Sequence, residues 1–162
     1  MARPPVLLVE IAAWLKTSLQ ADLPAKLAAA GLDPIHEWYT GDPIVDPNSA
    51  PNMPMLTVGF GMPEGGLTVD WNVSIGGHMY HYRYCITIGI GTNWLEVELA
   101  NASGYLAALK ECLDGYMMHI DGTIHFRAGR TQDGSVGFIR DSISGFDFIG
   151  ASWTWGCDSA IS

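Results

Sequence analysis

The stretch from Leu67 to Met118 constrains the fold most, because it holds two strongly alternating runs followed by one long helical pattern. Leu67, Val69, Trp71, Val73 and Ile75 alternate with Thr68, Asp70, Asn72 and Ser74. A period of two is what a strand with one buried and one wet face requires. The pattern resumes after Gly76-Gly77, with Tyr80, Tyr82, Tyr84, Ile86, Ile88 and Ile90 alternating with His81, Arg83, Cys85, Thr87 and Gly89. The short Gly-Gly-His-Met link between the runs reads as a β-hairpin. Asn93 then caps a helix in which Leu95, Leu99, Ala102, Leu106, Leu109 and Leu113 fall near one face. A hairpin must bury its apolar face on something, and this helix is the nearest candidate. The remaining segments read as additions to that core.

Upstream, Pro4-Pro5 opens a helix whose stripe is Leu8, Ile11, Ala12, Leu15 and Leu19. Asp22 is placed to cap a second short helix with Pro24 in its first turn, and Gly31 is its stop. The expectation is one bent helical segment over residues 5–30, an amphipathic lid. Ile35 to Tyr39 reads as a short strand. Residues 41–54 contain Pro43, Pro47, Pro51 and Pro54 among Asp, Asn and Ser, and read as an extended loop, since proline has no N–H for a ladder. A loop of ~14 residues is either a contact arm or a mobile surface loop, and both readings stay open. Met55 to Phe60 restores a strand.

Downstream of the long helix, Asp121-Gly122 marks a turn and Thr123 to Arg127 alternates as a strand. Thr131 to Ser135, with Asp133-Gly134, reads as a hairpin turn, and Val136 to Ile143 as its return strand. Phe146, Phe148, Trp153 and Trp155 have strand spacing in an aromatic segment over 144–162, interrupted at Gly150. The fold class expected is α+β. A mixed or antiparallel sheet with a central hairpin packs against an N-terminal helix and one long helix, in a single domain of 162 residues.

Composition bears on function through charge. Charged residues make up only 15% of the chain against about a quarter usually, while 48% is apolar. Either some surface is covered by other subunits, or the chain is a compact Gly-rich monomer. Net charge is −9, and the eight basic residues form no run able to neutralise phosphates, which disfavours gripping nucleic acid and suits a passage that repels it. Cys85, Cys112 and Cys157 have no paired spacing, so a reducing cytoplasm is expected rather than a disulfide framework. No basic n-region leads an apolar core and no apolar run reaches ~18 residues, so a soluble, non-exported chain without membrane contact is expected.

Chemistry-bearing clusters are sparse. The chain has neither a phosphate-cradling loop nor a Gly-x-Ser-x-Gly elbow. His78, His81 and Cys85 are the best metal candidates, but zinc sites show tighter paired spacing, and ordinary hairpin positions are the favoured reading. His119 and His125 carry no better signal. Glu96 and Glu98 diverge on a helix, and Glu111 with Asp114 reads as a solvated face. Cys112 reads as a core thiol rather than a nucleophile. Tyr80, Tyr82 and Tyr84, with Arg83 the sole basic residue among them, read as core or interface rather than as base-stacking platforms. No catalytic group, metal or cofactor is assigned, and no enzyme is expected.

The order of elements resembles a known family. The bent helix carrying Leu23-Pro24 comes first, then the Pro-rich loop and the strand His81-Tyr82-Arg83-Tyr84-Cys85-Ile86-Thr87-Ile88. The helix Glu96–Tyr116 follows, with Ala102, Tyr105, Leu106, Ala108, Leu109 and Leu113, and then the Asp121-Gly122 break to further strands. This is similar to the tail-terminator or tail-completion proteins, the neck proteins, of long-tailed bacteriophages, over residues 6–143. The Trp-rich segment from Phe146 onward departs from a minimal member. What the resemblance implies is a structural virion protein at the head–tail junction, assembled in the host cytoplasm. It would form a homo-oligomeric ring, commonly a hexamer, that caps the tail tube protein, joins the connector or adaptor proteins and lets DNA slide through an acidic lumen. Contacts are expected from Asp42, Asp46 and Asn48 in the loop and from Trp153 and Trp155, since large aromatics anchor interfaces; burial of both tryptophans in their own core is the other open reading. A twelve-fold head-completion or adaptor ring, and a small α+β ligand-binding domain walled by the aromatic hairpin, are the alternatives.

Overall fold

The computed structural model describes residues 8–40, 52–59, 66–74, 77–91, 96–114, 116, 130–140 and 147–161. Its elements are α1 (Leu8–Ala29), β1 (Glu37–Thr40), β2 (Met55–Gly59), β3 (Gly66–Ser74), β4 (Gly77–Gly91), α2 (Glu96–Leu113), β5 (Arg130–Arg140) and β6 (Asp147–Ile161). The architecture is α+β, with two helices on a six-stranded mixed sheet among the described residues. The order across the sheet is β1-β2-β4-β6-β5, with β3 on β4. Among the described strands only β1 and β2 run parallel. Strands β2 and β3 follow one another along the same side of β4, which pairs Gly59 with Cys85 and Gly66 with Arg83.

The alternating hairpin forms as its pattern dictates, with Leu67 opposite Tyr82 and Val69 opposite Tyr80. Its second strand is the spine of the fold. Tyr82, Tyr84, Ile86 and Ile88 are fully buried beneath the helices, while Arg83 is exposed and Cys85 and Thr87 are half-buried on the other face. Leu56, Val58, Ala151 and Trp155 extend this buried floor onto β2 and β6.

Helix α1 differs from the expected bend. It is one 22-residue helix that runs through Pro24, and its buried stripe continues past Leu19 to Leu23 and Leu27. Pro24 removes the N–H that Gln20 would receive, but both residues face solvent, where water replaces the bond. The two leucines beside it are fully buried, and their packing outweighs the break. The helix does stop at Gly31, whose φ is +70°. Leu32 N–H donates to Leu27 O at 2.9 Å and Gly31 N–H to Ala28 O at 3.1 Å, the paired bonds of a Schellman cap.

The C-terminal half corrects two further expectations. Residues 131–135 are not a hairpin turn: they lie inside β5, and the ladder to β6 shifts register between Thr131 and Gly134. Gly150 does not interrupt the aromatic segment either. β6 is one 15-residue strand that inserts between β4 and β5, pairing from His78↔Ile161 to Gly91↔Ile149 along one side. The segment that reads as an appendage is therefore central to the sheet. The expected turn at Asp121-Gly122, the strand from Thr123 to Arg127, the Asn93 cap and Phe146 lie outside the described residues.

Candidate interaction surfaces

The two C-terminal tryptophans stand on the helix-facing side of β6 and use their indoles differently. Trp155 is fully buried, with ring centroids 6.1 Å from Trp14 and 6.3 Å from Tyr84, and its Nε1–H donates to Leu113 O at 3.3 Å. Trp153 is half-buried and donates its Nε1–H to Leu106 O at 2.7 Å. Both rings thus tie α2 to the sheet, and Trp153 keeps part of its surface in reach of a partner. Asp42, Asp46 and Asn48 lie outside the described residues. At the end of their loop, Pro54 O accepts from His36 N–H at 2.8 Å, which holds the chain before β1 against the chain entering β2.

A shallow groove of about 510 Å³ runs between the helices, lined by Ala21, Asp22, Ala25, Lys26, Glu111, Cys112 and Tyr116. Lys26 and Glu111 close one side as an exposed ion pair at 3.1 Å, which raises the lysine above its ordinary value. Tyr116 Oη–H donates to Asp22 Oδ2 at 3.0 Å, and burial followed by that bond pushes its phenol up. The Cys112 thiol, at the base, is pushed up to about 11, chiefly by burial. A thiol held protonated is no nucleophile at neutral pH. Glu111 and Asp114 are each spent on an exposed lysine, the latter on Lys110 four residues earlier.

A measurable consequence follows from the buried protons. Tyr105 is pushed up to about 12, first by burial and then by the charge of Asp33 nearby, while its Oη–H donates to Asp33 O at 2.7 Å. In the unfolded chain Cys112 loses its proton near 9 and Tyr105 near 10, so above those values the folded state binds more protons. Stability is therefore fully present below pH 9 and falls as pH rises, by about 1.4 kcal/mol per pH unit for each retained proton, until the folded values are passed. Urea midpoints measured between pH 8 and 11 are expected to fall from pH 9 upward. In Cys112→Ala the slope between pH 9 and 10 should flatten by about one proton; an unchanged slope would place the thiol in water.

The opposite face of the sheet carries small polar positions in register. Thr57, Thr87, Ser152 and Ser135 are cross-strand neighbours on β2, β4, β6 and β5. Cys85 Sγ lies 3.1 Å from Ser152 Oγ and 3.7 Å from Thr87 Oγ1, in the same hydroxyl cluster. The alternation of β4 puts positions 81 and 85 on this face and position 78 on the other, so the three candidate metal ligands do not share a face. His78 is in the strand rather than in a turn. Among the described residues no group of three metal-ligating side chains comes together, and no helix is long and apolar enough to cross a membrane.

One feature had no sequence signal. Glu98, in the first turn of α2, lies over Gly91 at the end of β4, where a Cβ would stand 2.7 Å from its Oε1. Its Oε2 is shielded from solvent and has no hydrogen-bond partner. Only the closeness of the strand end to the helix start, which depends on the tertiary fold, brings this about.

No family model matches the chain, and no curated protein matches it. A solved structure described as the virion of a native gene transfer agent particle contains a chain that is 14% identical, with a TM-score of 0.44, over 87% of this chain and 95% of that one.

Proposed function

We propose that this chain is a structural virion protein of a long-tailed phage-like particle. In this reading it is a tail terminator, whose six-fold ring caps the tail tube, joins it to the connector or adaptor proteins and lets DNA pass. The observation that carries the reading is the order of elements. Helix α1, the short β1, the Pro-rich segment, β2, the β3–β4 hairpin, α2 and the closing strands follow the order on which the resemblance to tail terminators rests. The acidic balance supports a lumen that repels DNA rather than holding it. Both helices lie on one face of the sheet, and the other face carries the hydroxyl row, a polar surface suited to packing beside a neighbour. The reading assigns surfaces rather than a reaction: the loop with Asp42, Asp46 and Asn48 and the exposed part of Trp153 are the proposed contacts. Trp155 supports them from inside by fixing α2 on the sheet.

Native mass spectrometry with negative-stain electron microscopy of the purified chain tests this. A closed six-fold ring is the expected species. A twelve-fold ring would reassign the chain as an adaptor. A monomer carrying stoichiometric zinc would overturn the reading in favour of a binding domain.

A further inference from the structure

The sheet ends in two unlike edges. Among the described strands, β1 at one end and β5 at the other each have a neighbour on one side only. Straight rows of paired residues join them. Glu37 on β1 leads through Met55, Gly89 and Gly150 to Gly137 on β5. The next three rows likewise join Trp38 to Val136, Tyr39 to Ser135 and Thr40 to Gly134. The two edges therefore stand at the same height along the strands. They also run in opposite directions, because β1 runs with β2 while β2, β4, β6 and β5 alternate.

The edges differ in charge. β1 and the chain on either side of it carry Asp33, Glu37, Asp42 and Asp46 and no lysine or arginine, whereas β5 carries Arg130 and Arg140 against Asp133 alone. Like edges repel and unlike edges attract. Their side chains fit as well. Trp38 and Val136, one at each edge, pack on the core from the helix side and stay half-buried. On the other side Glu37 accepts from Tyr39 Oη–H, and its row ends at Gly137, where a Cβ would meet nothing within 4 Å. β5 has neither the proline nor the lysine with which edge strands block pairing.

We propose that β5 of one copy pairs with β1 of a second copy, so that the sheet runs on from chain to chain. Turning the second copy about an axis along the strands leaves its β1 antiparallel to β5, the more stable way to pair. The rows then continue level across the seam: Trp38 meets Val136, Tyr39 meets Ser135, and Glu37 reaches the open space at Gly137. Main-chain bonds supply the affinity, and these side chains set the register. The loop with Asp42 and Asp46 leaves β1 at this seam. The contact is heterologous, so an edge stays open at each end until a ring closes. The inference rests on the ring reading and names the contact that builds the ring.

The test mixes two full-length variants, Tyr39→Cys and Ser135→Cys, under mild oxidation. Directly opposed residues of an antiparallel pair stand within the Cα separation a disulfide spans. A disulfide between positions 39 and 135 is expected in peptide mass spectrometry of the mixture, and not in either variant alone. Sedimentation velocity then reads the charge at Gly137, where a side chain has room within one chain. Gly137→Glu sets like charges across the seam and Gly137→Lys unlike ones, so the Glu variant should self-associate about fivefold more weakly than the Lys variant. Circular dichroism checks that every variant folds. Rings that lack the 39–135 disulfide and ignore the sign of the charge at 137 overturn the contact and leave the ring reading standing. The disulfide in open chains that never close keeps the contact and removes the ring. Links of 39 to 39 or 135 to 135, or a chain that stays monomeric at every concentration, overturn the contact.

Discussion

Trp155→Ala is expected to lower unfolding stability by about 3–5 kcal/mol, a large part of the roughly 5–15 kcal/mol a domain possesses. The indole is fully buried where α1, α2 and the sheet converge, against Trp14 and Tyr84. Alanine would leave a cavity whose walls belong to a helix and to the spine strand β4, and neither can collapse into it without moving backbone. Trp155→Phe separates packing from the hydrogen bond. It keeps most of the ring and loses the bond from Nε1–H to Leu113 O. That carbonyl also accepts Tyr116 N–H at 3.2 Å, so it is not left bare, and the phenylalanine variant should cost about 1 kcal/mol. Urea unfolding followed by far-ultraviolet circular dichroism measures both. An alanine variant within about 1 kcal/mol of wild type would mean that β6 does not hold its central place.

Much of the fold is legible locally. The period of two in Leu67–Ser74 and Tyr80–Ile90 marks both strands of the hairpin, and the buried set Tyr82, Tyr84, Ile86 and Ile88 follows from it. In α2 the spacing marks Ala102, Leu109 and Leu113 as buried, although Tyr105, Ala108 and Cys112 share the same face. What is not legible is decided at long range. Gly150 and Gly156 weaken the strand signal of β6. Nothing in residues 147–161 states that they slide between β4 and β5. Pro24 reads as a helix boundary until Leu23 and Leu27 find a core to enter. Local pattern leaves Trp153 and Trp155 open between core and interface; the tertiary structure buries Trp155 and leaves Trp153 half out. Cross-helix pairs such as Lys26–Glu111, and the seat of Glu98 on Gly91, join residues that no spacing rule relates.

Gly134 is where the local and the tertiary readings predict different experiments. As the second residue of an Asp-Gly turn it would be needed for a left-handed backbone. In the structure it lies in β5 outside the left-handed region, and the Trp153 ring lies on it. A Cβ there would stand 2.5 Å from Cη2 and 2.6 Å from Cζ2 and Cζ3. An aromatic ring has no flexible end to give way, and this one is held by its Nε1–H bond to Leu106 O at 2.7 Å. Gly134→Ala must therefore push Trp153 off α2 or β5 off the sheet. The expected cost is about 1–3 kcal/mol of strain, with about 1 kcal/mol more if the bond to Leu106 breaks. The cause lies in the indole, so the penalty should largely vanish in a Trp153→Leu background, giving a coupling energy of at least about 1 kcal/mol in the double-mutant cycle. A turn glycine would instead cost the same in both backgrounds, because its strain belongs to its own backbone. Additive effects would restore the turn, and coupling fixes β5 as a continuous edge strand whose close approach to Trp153 depends on the missing side chain at Gly134.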